Sequence, residues 1–299
     1  MEGISHIVIE VSDLGRGKEF YCDLLGFESG GDQLLPDCGR SVSLCAASGQ
    51  LLVLAETPEP RSLPETGVHQ AYMVAPPDRE AIKKRLAVRE VKVHTYKEDR
   101  PAEENDNFFF ADPDGNRVQL VVTDTVAGPG GKILGIDHAA AECHDLEWAE
   151  DFYVKLLGLS VDHRVGWRTA DYVRARLWGE GKEDMAPGTR RWDQRYTVME
   201  QKRRIPRPNT QLFTRVGDNI FGIYLATQHR QEPPEKQIVG TPRIGFRTDR
   251  GCLNEIAKLL TERRFPVHGP IEHPASSPIA VSLYIRDPGA NFLELSVPR

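Results

Sequence analysis

The chain has 299 residues, of which 39% are hydrophobic and 27% charged, and its net charge is −6 at neutral pH. This composition predicts a globular protein with room for two domains, and it excludes a disordered chain and a basic nucleic-acid-binding surface. Apolar runs such as QLLVLA fall far short of the roughly 20 residues of a membrane helix, and the N-terminal strand leaves no room for a signal peptide.

In chain order, the first half contains two similar groups of predicted elements. ISHIVIEV predicts a strand and the segment ending in FYCDLLGF a helix, and the short apolar runs SVSLCAA and QLLVLAE are typical of strands. A further strand, GVHQAYMVA, precedes a helix predicted over about 78–89 from its Pro-Asp start and the spacing of its apolar residues. VKVHTY, NFFFADP and NRVQLVV are predicted as the strands that complete this group.

The second half repeats the first. In both copies a His is followed 15 residues later by a Tyr and 20 residues later by a Gly, starting from His6 and from His138. The turn and strand DPDGNRVQL return as DPGANFLEL at the end of the chain. Agreement at two such distant anchors predicts a duplication, and so an α+β fold of four βαβββ units. Gly and Pro residues mark a linker at 125–132 between an N-terminal domain at 1–124 and a C-terminal domain at 133–299.

One insertion breaks the symmetry. From His6 to His69 is 63 residues, whereas from His138 to the matching Arg243 is 105, so the second half holds 42 extra residues. We place them at about 178–218, where the sequence is charged and contains Pro, Gly, Trp and Tyr. The segment is either a solvated excursion or a lid or interface arm, since long loops in compact domains often serve a site.

The strand that begins with His, the FYxxLLGF/L helix end and the closing DPxGNxxEL strand resemble the vicinal oxygen chelate superfamily. That superfamily includes glyoxalase I, type I extradiol dioxygenases, and fosfomycin- and bleomycin-resistance proteins. The resemblance covers both halves and implies two tandem domains with curved, cup-shaped mixed sheets. It also implies a divalent metal (iron, manganese, zinc or nickel) held by first and last strands of the units, which chelates two neighbouring substrate oxygens.

The ligand positions of the superfamily can be carried over residue by residue. They hold His6, His69 and Gln119 in the first half, and His138, Arg243 and Glu294 in the second. The register is consistent, because the last two positions are 50 residues apart in the first half and 51 in the second. Neither half has the full His-His-Glu set of the extradiol enzymes. Two imidazoles and an amide could still hold a metal weakly and favour an anionic substrate, or the first half has lost its metal.

Arg243 cannot be a ligand, because a guanidinium stays protonated and has no lone pair for a cation. It would either form a buried ion pair with Glu294 or bind a substrate carboxylate or phosphate. Tyr284 matches the substrate-contacting tyrosine of the dioxygenases, and His273 falls near their acid/base histidine. The resemblance therefore makes Arg243, Tyr284 and His273 the candidates for substrate contact and proton transfer.

Two arrangements of the units remain open. The four-unit layout is most similar to the extradiol dioxygenases, whereas tandem glyoxalases pair unit one with unit four and unit two with unit three. The second arrangement would bring His69, Gln119 and His138 together. Glyoxalase I chemistry also needs a carboxylate base at positions that here hold Val53 and Gly222, which argues against that activity.

The predicted function is a metal-dependent enzyme, dioxygenase-like or lyase/isomerase-like, that acts on a small phenolic or anionic oxygenated substrate. The alternative is a metal-free protein that sequesters a small molecule, as bleomycin-resistance proteins do. We expect neither a nucleic acid nor a membrane as partner and leave a homodimer open. Five cysteines without CxxC spacing predict reduced thiols and a cytoplasmic location.

Overall fold

A computed structural model describes residues 1–32, 34–61, 67–93, 107–124, 130–165, 211–226, 234 and 236–299. Its strands form one sheet of eight strands and one of seven. The strands are β1 (Gly3–Val11), β2 (Glu28–Asp32), β3 (Ser41–Cys45), β4 (Leu51–Glu56), β5 (Gln70–Val74), β6 (Phe108–Ala111), β7 (Arg117–Val122), β8 (Gly135–Cys143), β9 (Ser160–Val165), β10 (Gln211–Val216), β11 (Asn219–Leu225), β12 (Arg243–Arg247), β13 (Val267–Glu272), β14 (Ile279–Arg286) and β15 (Phe292–Pro298).

In the described part of the chain, four helices cover the sheets. They are α1 (Leu14–Lys18), which continues as a π-helical segment to Leu25; α2 (Pro76–Val88); α3 (Leu146–Glu150), which continues likewise to Leu156; and α4 (Arg250–Glu262). Three begin at an aspartate whose carboxylate accepts hydrogen bonds from the first free backbone N–H groups: Asp13, Asp145 and Asp249. None of the helices in the described ranges is both long and apolar enough to span a bilayer.

The two sheets interleave the halves of the chain. Sheet 1 has the order β13-β14-β15-β12-β1-β4-β3-β2, and sheet 2 has the order β6-β7-β5-β8-β11-β10-β9. Unit one therefore pairs with unit four through the antiparallel strands β1 and β12, and unit two pairs with unit three through β5 and β8. Of the two arrangements left open by the sequence, the structure has the cross-paired one, and it confirms the α+β fold. Among the described strands, unit one does not pair with unit two, and unit three does not pair with unit four, as they would in the dioxygenase layout.

Side chains alternate along each strand, so each sheet has a helix-facing side and a cup side. On β1, Ile7, Ile9 and Val11 belong to the large core under the helices, whereas Val8 belongs to a separate cluster inside the cup of sheet 1. The same alternation places His6 on the cup side. The residues that alternate with the core positions along each strand therefore line the cups.

The units are described to different extents. Units one, three and four contain a strand, a helix and three further strands, and unit two shows two strands after α2. The predicted strand VKVHTY lies outside the described residues from position 94 onward, as does the linker up to position 129. Most of the predicted insertion also lies outside them, but its end, Gln211–Val216, forms strand β10 of sheet 2. No disulfide joins the five cysteines, which all lie in the described ranges.

The repeated DP turns tie the two sheets together. The Tyr21 hydroxyl donates to Asp112 Oδ2 at 2.9 Å, and the Asn116 amide donates to the same oxygen at 2.9 Å. In the second half Tyr153 donates to Asp287 Oδ2 at 2.5 Å. Each tyrosine belongs to a unit in one sheet, and its aspartate belongs to a unit in the other. The repeat of His, Tyr and DP turn in the sequence thus largely reflects this Tyr–Asp hydrogen bond, which each half of the chain forms once.

Candidate metal centre

His69, His138 and Gln119 meet on the cup side of sheet 2, and we call them the His69 cluster. Ala71 of β5 lies opposite Gln119 of β7 on one side and opposite His138 of β8 on the other. His69, two residues before Ala71, shares its face of the sheet. Its Nε2 lies 2.9 Å from His138 Nε2, and its ring is hydrogen-bonded to the Gln119 side chain.

The hydrogen bonds of the two imidazoles fix where their lone pairs point. His69 Nδ1 lies 2.7 Å from the Gly67 carbonyl oxygen, and His138 Nδ1 lies 2.5 Å from Asp137 Oδ2. Both acceptors require a proton on Nδ1, which leaves a lone pair on each Nε2 in the neutral rings. Two lone pairs then face each other across 2.9 Å. This arrangement is repulsive unless a proton or a metal cation binds there.

The electrostatics of the cluster favour neutral imidazole. Burial, the neighbouring His138 and the Arg117 guanidinium lower the pKa of His69 to about 3, against smaller opposing contributions from hydrogen bonds. His69 is therefore unprotonated at physiological pH, which is the form that binds a metal. With the neutral amide of Gln119, the donor set itself carries no charge.

Aromatic side chains surround the cluster. The ring of His69 makes edge contacts with Phe109, at a centroid distance of 5.6 Å, and with Tyr224 at 6.0 Å. Phe213 stacks on His163 at 4.2 Å farther along the cup. A Cβ atom at Gly222 would lie 3.2 Å from the Phe213 ring, so this glycine gives the ring its space.

Several of these neighbours were not identified from the sequence. Tyr224 and Arg117 lie two residues from Gly222 and Gln119 and so share their faces of the sheet. The guanidinium of Arg117 lies 4.9 Å from the centre of the Phe109 ring. The period-two alternation around each ligand position was the signal that could have located them.

The cup of sheet 1 holds the other three ligand positions in a different arrangement. His6 Nε2 donates to Glu294 Oε2 at 3.1 Å, and Arg243 Nε lies 2.8 Å from the same oxygen. A second contact of Arg243 joins Nη2 to Asp37 Oδ2 at 2.6 Å. His6 Nδ1 lies 2.9 Å from the Ser5 hydroxyl. Here the imidazole proton sits on Nε2, and a guanidinium is paired with the carboxylate that a metal would need.

These charges are buried and mutually stabilised. Burial alone would raise the pKa of Glu294, but His6 and Arg243 outweigh it and lower the pKa to about 2. Burial opposes the charge of Arg243, but Glu294 together with Cys38, Asp37 and Tyr284 outweighs it and raises the pKa of the guanidinium. Glu294 and Arg243 therefore remain charged as an ion pair, one of the two roles that the sequence left open for Arg243.

Tyr284 and His273 lie in this same cup. The Ser282 hydroxyl donates to Glu294 Oε1 at 2.5 Å and lies 2.8 Å from His273 Nε2. Tyr284 Oη lies 3.4 Å from that nitrogen, and its ring lies 5.0 Å from the Arg243 guanidinium. The three predicted catalytic residues are thus neighbours of Glu294 in sheet 1, whereas the His69 cluster lies in sheet 2.

The floor of the sheet 1 cup is filled by apolar side chains. The members of this buried cluster are Val8, Leu35, Cys38, Leu51, Val53, Ala55 and Ile279. Leu35 and Cys38 flank the short 3-10 turn that also delivers Asp37 to Arg243. Burial raises the pKa of the Cys38 thiol to about 12, so this thiol stays protonated.

The two cups differ in their fitness for a metal. Within the described ranges, no three His, Cys, Asp or Glu side chains converge on one point as ligands. In sheet 2 the amide of Gln119 completes a set of three donors with His69 and His138. In sheet 1 the paired Arg243 excludes a cation from His6 and Glu294 by charge. The His69 cluster therefore fits a divalent cation, and the sheet 1 cup does not.

Comparison with known proteins shows which family the first part of the chain is similar to. The model of the Glyoxalase/Bleomycin resistance protein/Dioxygenase superfamily matches residues 3–120. The match covers 118 of the 299 residues of the chain. No curated protein sequence matches the chain.

Solved structures of similar fold align with nearly the whole chain. A Bacillus subtilis subsp. subtilis strain 168 protein described as a candidate dioxygenase is 15% identical, with a TM-score of 0.66 over 99% of this chain and 85% of that one. Glyoxalase I from Zea mays is 16% identical, with a TM-score of 0.60 over 99% of this chain and 92% of that one. At this identity the likeness is one of fold, and it covers both sheets.

Proposed function

We propose that the protein is a metal-dependent enzyme whose single metal centre is the His69 cluster. The supporting observation is the convergence of two imidazole lone pairs, each fixed by a hydrogen bond at the opposite ring nitrogen. A divalent metal bound there would act as a Lewis acid towards an oxygen-bearing substrate. The reaction would be of the lyase, isomerase or dioxygenase type on a small substrate in the aromatic-lined cup.

The surrounding residues would position the ligands. Asp137 holds the Nδ1 proton of His138 and so keeps Nε2 basic. Glu142 Oε1 accepts a hydrogen bond of 3.0 Å from the Gly67 backbone N–H, and the carbonyl of Gly67 accepts the proton of His69 Nδ1. Glu142 is therefore a positioning residue for His69.

Glyoxalase I activity remains disfavoured. Gly222 lies on β11, whose neighbour β8 carries His138, and a glycine cannot move a proton. Val53 is fully buried among apolar side chains in the other cup. The reaction would therefore proceed without the carboxylate base that glyoxalase chemistry requires at these positions.

A metal-free binding protein is the second candidate. The observation that favours it is the aromatic wall of Phe109, Phe213 and Tyr224, which would accept a flat ligand without any metal. One experiment separates the two candidates.

The test is elemental metal analysis of protein purified without an affinity tag or chelator, beside the variants His69→Ala and His138→Ala. We expect about one divalent metal per chain in the wild type and loss of that metal in both variants. Circular dichroism would verify that each variant is folded.

The matched control is His6→Ala, because His6 occupies the position in sheet 1 that corresponds to His138 in sheet 2. Its metal content should equal that of the wild type. Absence of metal from the wild type after anaerobic reloading would exclude the metalloenzyme, and saturable binding of aromatic ligands to that protein would favour the second candidate.

A further inference from the structure

A groove opens among the helices and turns of the second half of the chain, and we call it the Trp148 groove. It is lined by Trp148 of α3, by Phe152 of the π-helical segment that follows, and by Arg263 and Phe265 just after α4. Residues of the DP turn at 287–290 lie along it as well. Its volume is about 570 Å³, which is within the range of small-molecule sites. None of the described residues along it is a metal-ligand position of either cup, so this groove is separate from both.

The duplication provides an internal comparison for the groove. The two copies of the repeat place Trp148 where the first half has Arg16. The guanidinium of Arg16 donates to Asp114 Oδ1 at 2.6 Å, and this ion pair joins α1 to the first DP turn. In the second DP turn Gly289 stands at the position of Asp114. Neither Trp nor Gly has a charged side chain, so the ion pair between helix and turn has no counterpart beside the Trp148 groove.

A second ion pair of the first half is also missing from the second. Arg89, the residue that follows α2, donates through Nη2 to Glu19 Oε1 at 2.5 Å. Its counterpart is Arg263, which follows α4, and the counterpart of Glu19 is Asp151. Asp151 pairs with Lys155 instead. Among the described residues, the exposed guanidinium of Arg263 therefore has no hydrogen-bond or ion-pair partner.

The same groove presents an aromatic surface. The side chain of Trp148 is 61% exposed, and in the described ranges only Val88 is a more exposed large hydrophobic residue. The rings of Phe152 and Phe265, which also line the groove, pack against each other at a centroid distance of 5.3 Å. An apolar, flat molecule would therefore find aromatic contacts there.

The other charged side chains along the groove already have partners within the chain. They are Asp151, Arg286 and Asp287, which contact Lys155, the Pro234 carbonyl oxygen and the Tyr153 hydroxyl, respectively. Arg263 thus supplies a positive charge that nothing in the described part of the chain balances. A ligand of complementary charge carries an anionic group.

We propose that the Trp148 groove binds a small aromatic carboxylate, with its ring against Trp148 and its carboxylate on Arg263. The planar guanidinium fork matches a carboxylate and can donate two parallel hydrogen bonds to it. The indole offers a large, rigid contact area for the ring. This second ligand site is independent of the His69 cluster and of the reaction proposed there.

The experiment is calorimetric titration of 2-naphthoate into the purified protein at constant ionic strength, with 2-naphthamide as the uncharged comparison. We expect saturable binding of 2-naphthoate that Trp148→Ala weakens about 10-fold, because an aromatic contact is lost. Arg263→Gln should weaken it about 5-fold, which is the size of a charge interaction at an exposed position. The naphthamide should bind the wild type more weakly than naphthoate, and Arg263→Gln should leave its affinity unchanged.

Matched controls locate the binding in the groove. Arg89→Gln removes the counterpart arginine of the first half, and Val88→Ala removes the other exposed large hydrophobic residue; both should bind 2-naphthoate as the wild type does. His69→Ala should lose the metal but keep this binding, so that failure of one site is distinguishable from failure of the other. Absence of saturable binding, or equal affinity in the wild type, Trp148→Ala and Arg263→Gln, would overturn the proposal. Self-association of the wild type that Trp148→Ala abolishes, seen by analytical ultracentrifugation, would also overturn it, because a second copy of the chain would then occupy the groove.

Discussion

The residue that precedes His138 decides what this imidazole can do. Asp137 accepts its Nδ1 proton, whereas in the sheet 1 cup the equivalent histidine, His6, has Ser5 before it and places its proton on Nε2. The same position therefore presents an Nε2 lone pair, which could bind a cation, in one cup and an Nε2–H group bound to a carboxylate in the other. The difference lies in one neighbouring side chain.

The first prediction concerns this neighbour. Asp137→Ala should weaken metal binding at the His69 cluster by about 10- to 100-fold, because the ring of His138 loses the acceptor that orients it. Chelator competition on the variant and the wild type would measure the change. Asp162→Ala is the control, since Asp162 holds the Nδ1 proton of the exposed His163 in the same way, at 2.7 Å. Equal metal affinity in Asp137→Ala and the control would contradict the prediction.

The second prediction concerns the buried ion pair of sheet 1. Glu294 has a pKa of about 2 in the folded protein and an ordinary value of 4.5 when unfolded. Its carboxylate therefore stabilises the fold fully above pH 4.5, and this contribution, on the order of 3 kcal/mol, is lost as the pH falls towards 2. Urea unfolding at several pH values would measure it.

The comparison for this measurement is Glu294→Gln. The difference in free energy of unfolding between wild type and variant should be large at pH 7 and should shrink as the pH falls below 4.5. Other carboxylates titrate in both proteins and cancel in this difference. A gap that stays constant from pH 7 to pH 3 would show that the charge of Glu294 does not stabilise the fold.

At the level of the elements, the two Tyr–Asp bonds join structures that the strand pairing keeps apart. Tyr21 lies in the π-helical segment after α1, and Asp112 lies in the turn between β6 and β7 of the other sheet. Tyr153 and Asp287 repeat the link with sheets exchanged. These bonds are internal to each half of the chain, whereas the β1–β12 and β5–β8 ladders join the two halves.

The third prediction tests this link. Tyr21→Phe and Tyr153→Phe should each lower the free energy of unfolding by about 1–3 kcal/mol, because a buried carboxylate loses a donor. Tyr72→Phe is the control, since the buried hydroxyl of Tyr72 has no hydrogen-bond partner within the described ranges. Chemical denaturation would measure all three. If Tyr72→Phe lowered the free energy of unfolding as much as the other two variants, the Tyr–Asp hydrogen bonds would have no specific stabilising effect.

These elements also show what local sequence can and cannot predict. The strands, the helices and the DP turns follow from alternation, capping and turn residues, which act over a few positions. The sequence predicted His69, His138 and Gln119 as metal-ligand positions and included the unit pairing that brings them together among its alternatives. It could not choose that pairing, because β1 presents the same apolar pattern to any partner strand. The roles of Asp37 and Leu35 in filling the sheet 1 cup depend on a turn without periodicity.

At the scale of the whole molecule, neither sequence half contains a complete sheet. Residues 1–124 supply β1–β4 to sheet 1 and β5–β7 to sheet 2, and the remaining strands come from the second half. Each half alone would leave β1 and β5, or β8 and β12, with an open edge at the centre of a sheet. The interleaving makes the two halves mutually dependent.

The fourth prediction follows from this dependence. A fragment of residues 1–124 should not be a folded monomer, because its two central strands lack partners; it should aggregate, unfold or pair with a second copy. Mixing it with a fragment of residues 133–299 should restore a one-to-one complex. Native mass spectrometry and circular dichroism would show the states. A folded, monomeric 1–124 fragment would contradict the prediction.

In the sequence, all strands of sheet 2 lie between the first four and the last four strands of sheet 1. This arrangement also sets an order of events during synthesis. All strands of sheet 2 lie between positions 70 and 225, so this sheet can form as soon as that stretch has left the ribosome. Sheet 1 must wait, because Ile7 pairs opposite Ile244, 237 residues later. Until then β1 carries an unpaired edge on a nascent chain. A chain released after residue 225 would therefore have an assembled His69 cluster and an exposed, unpaired edge on β1.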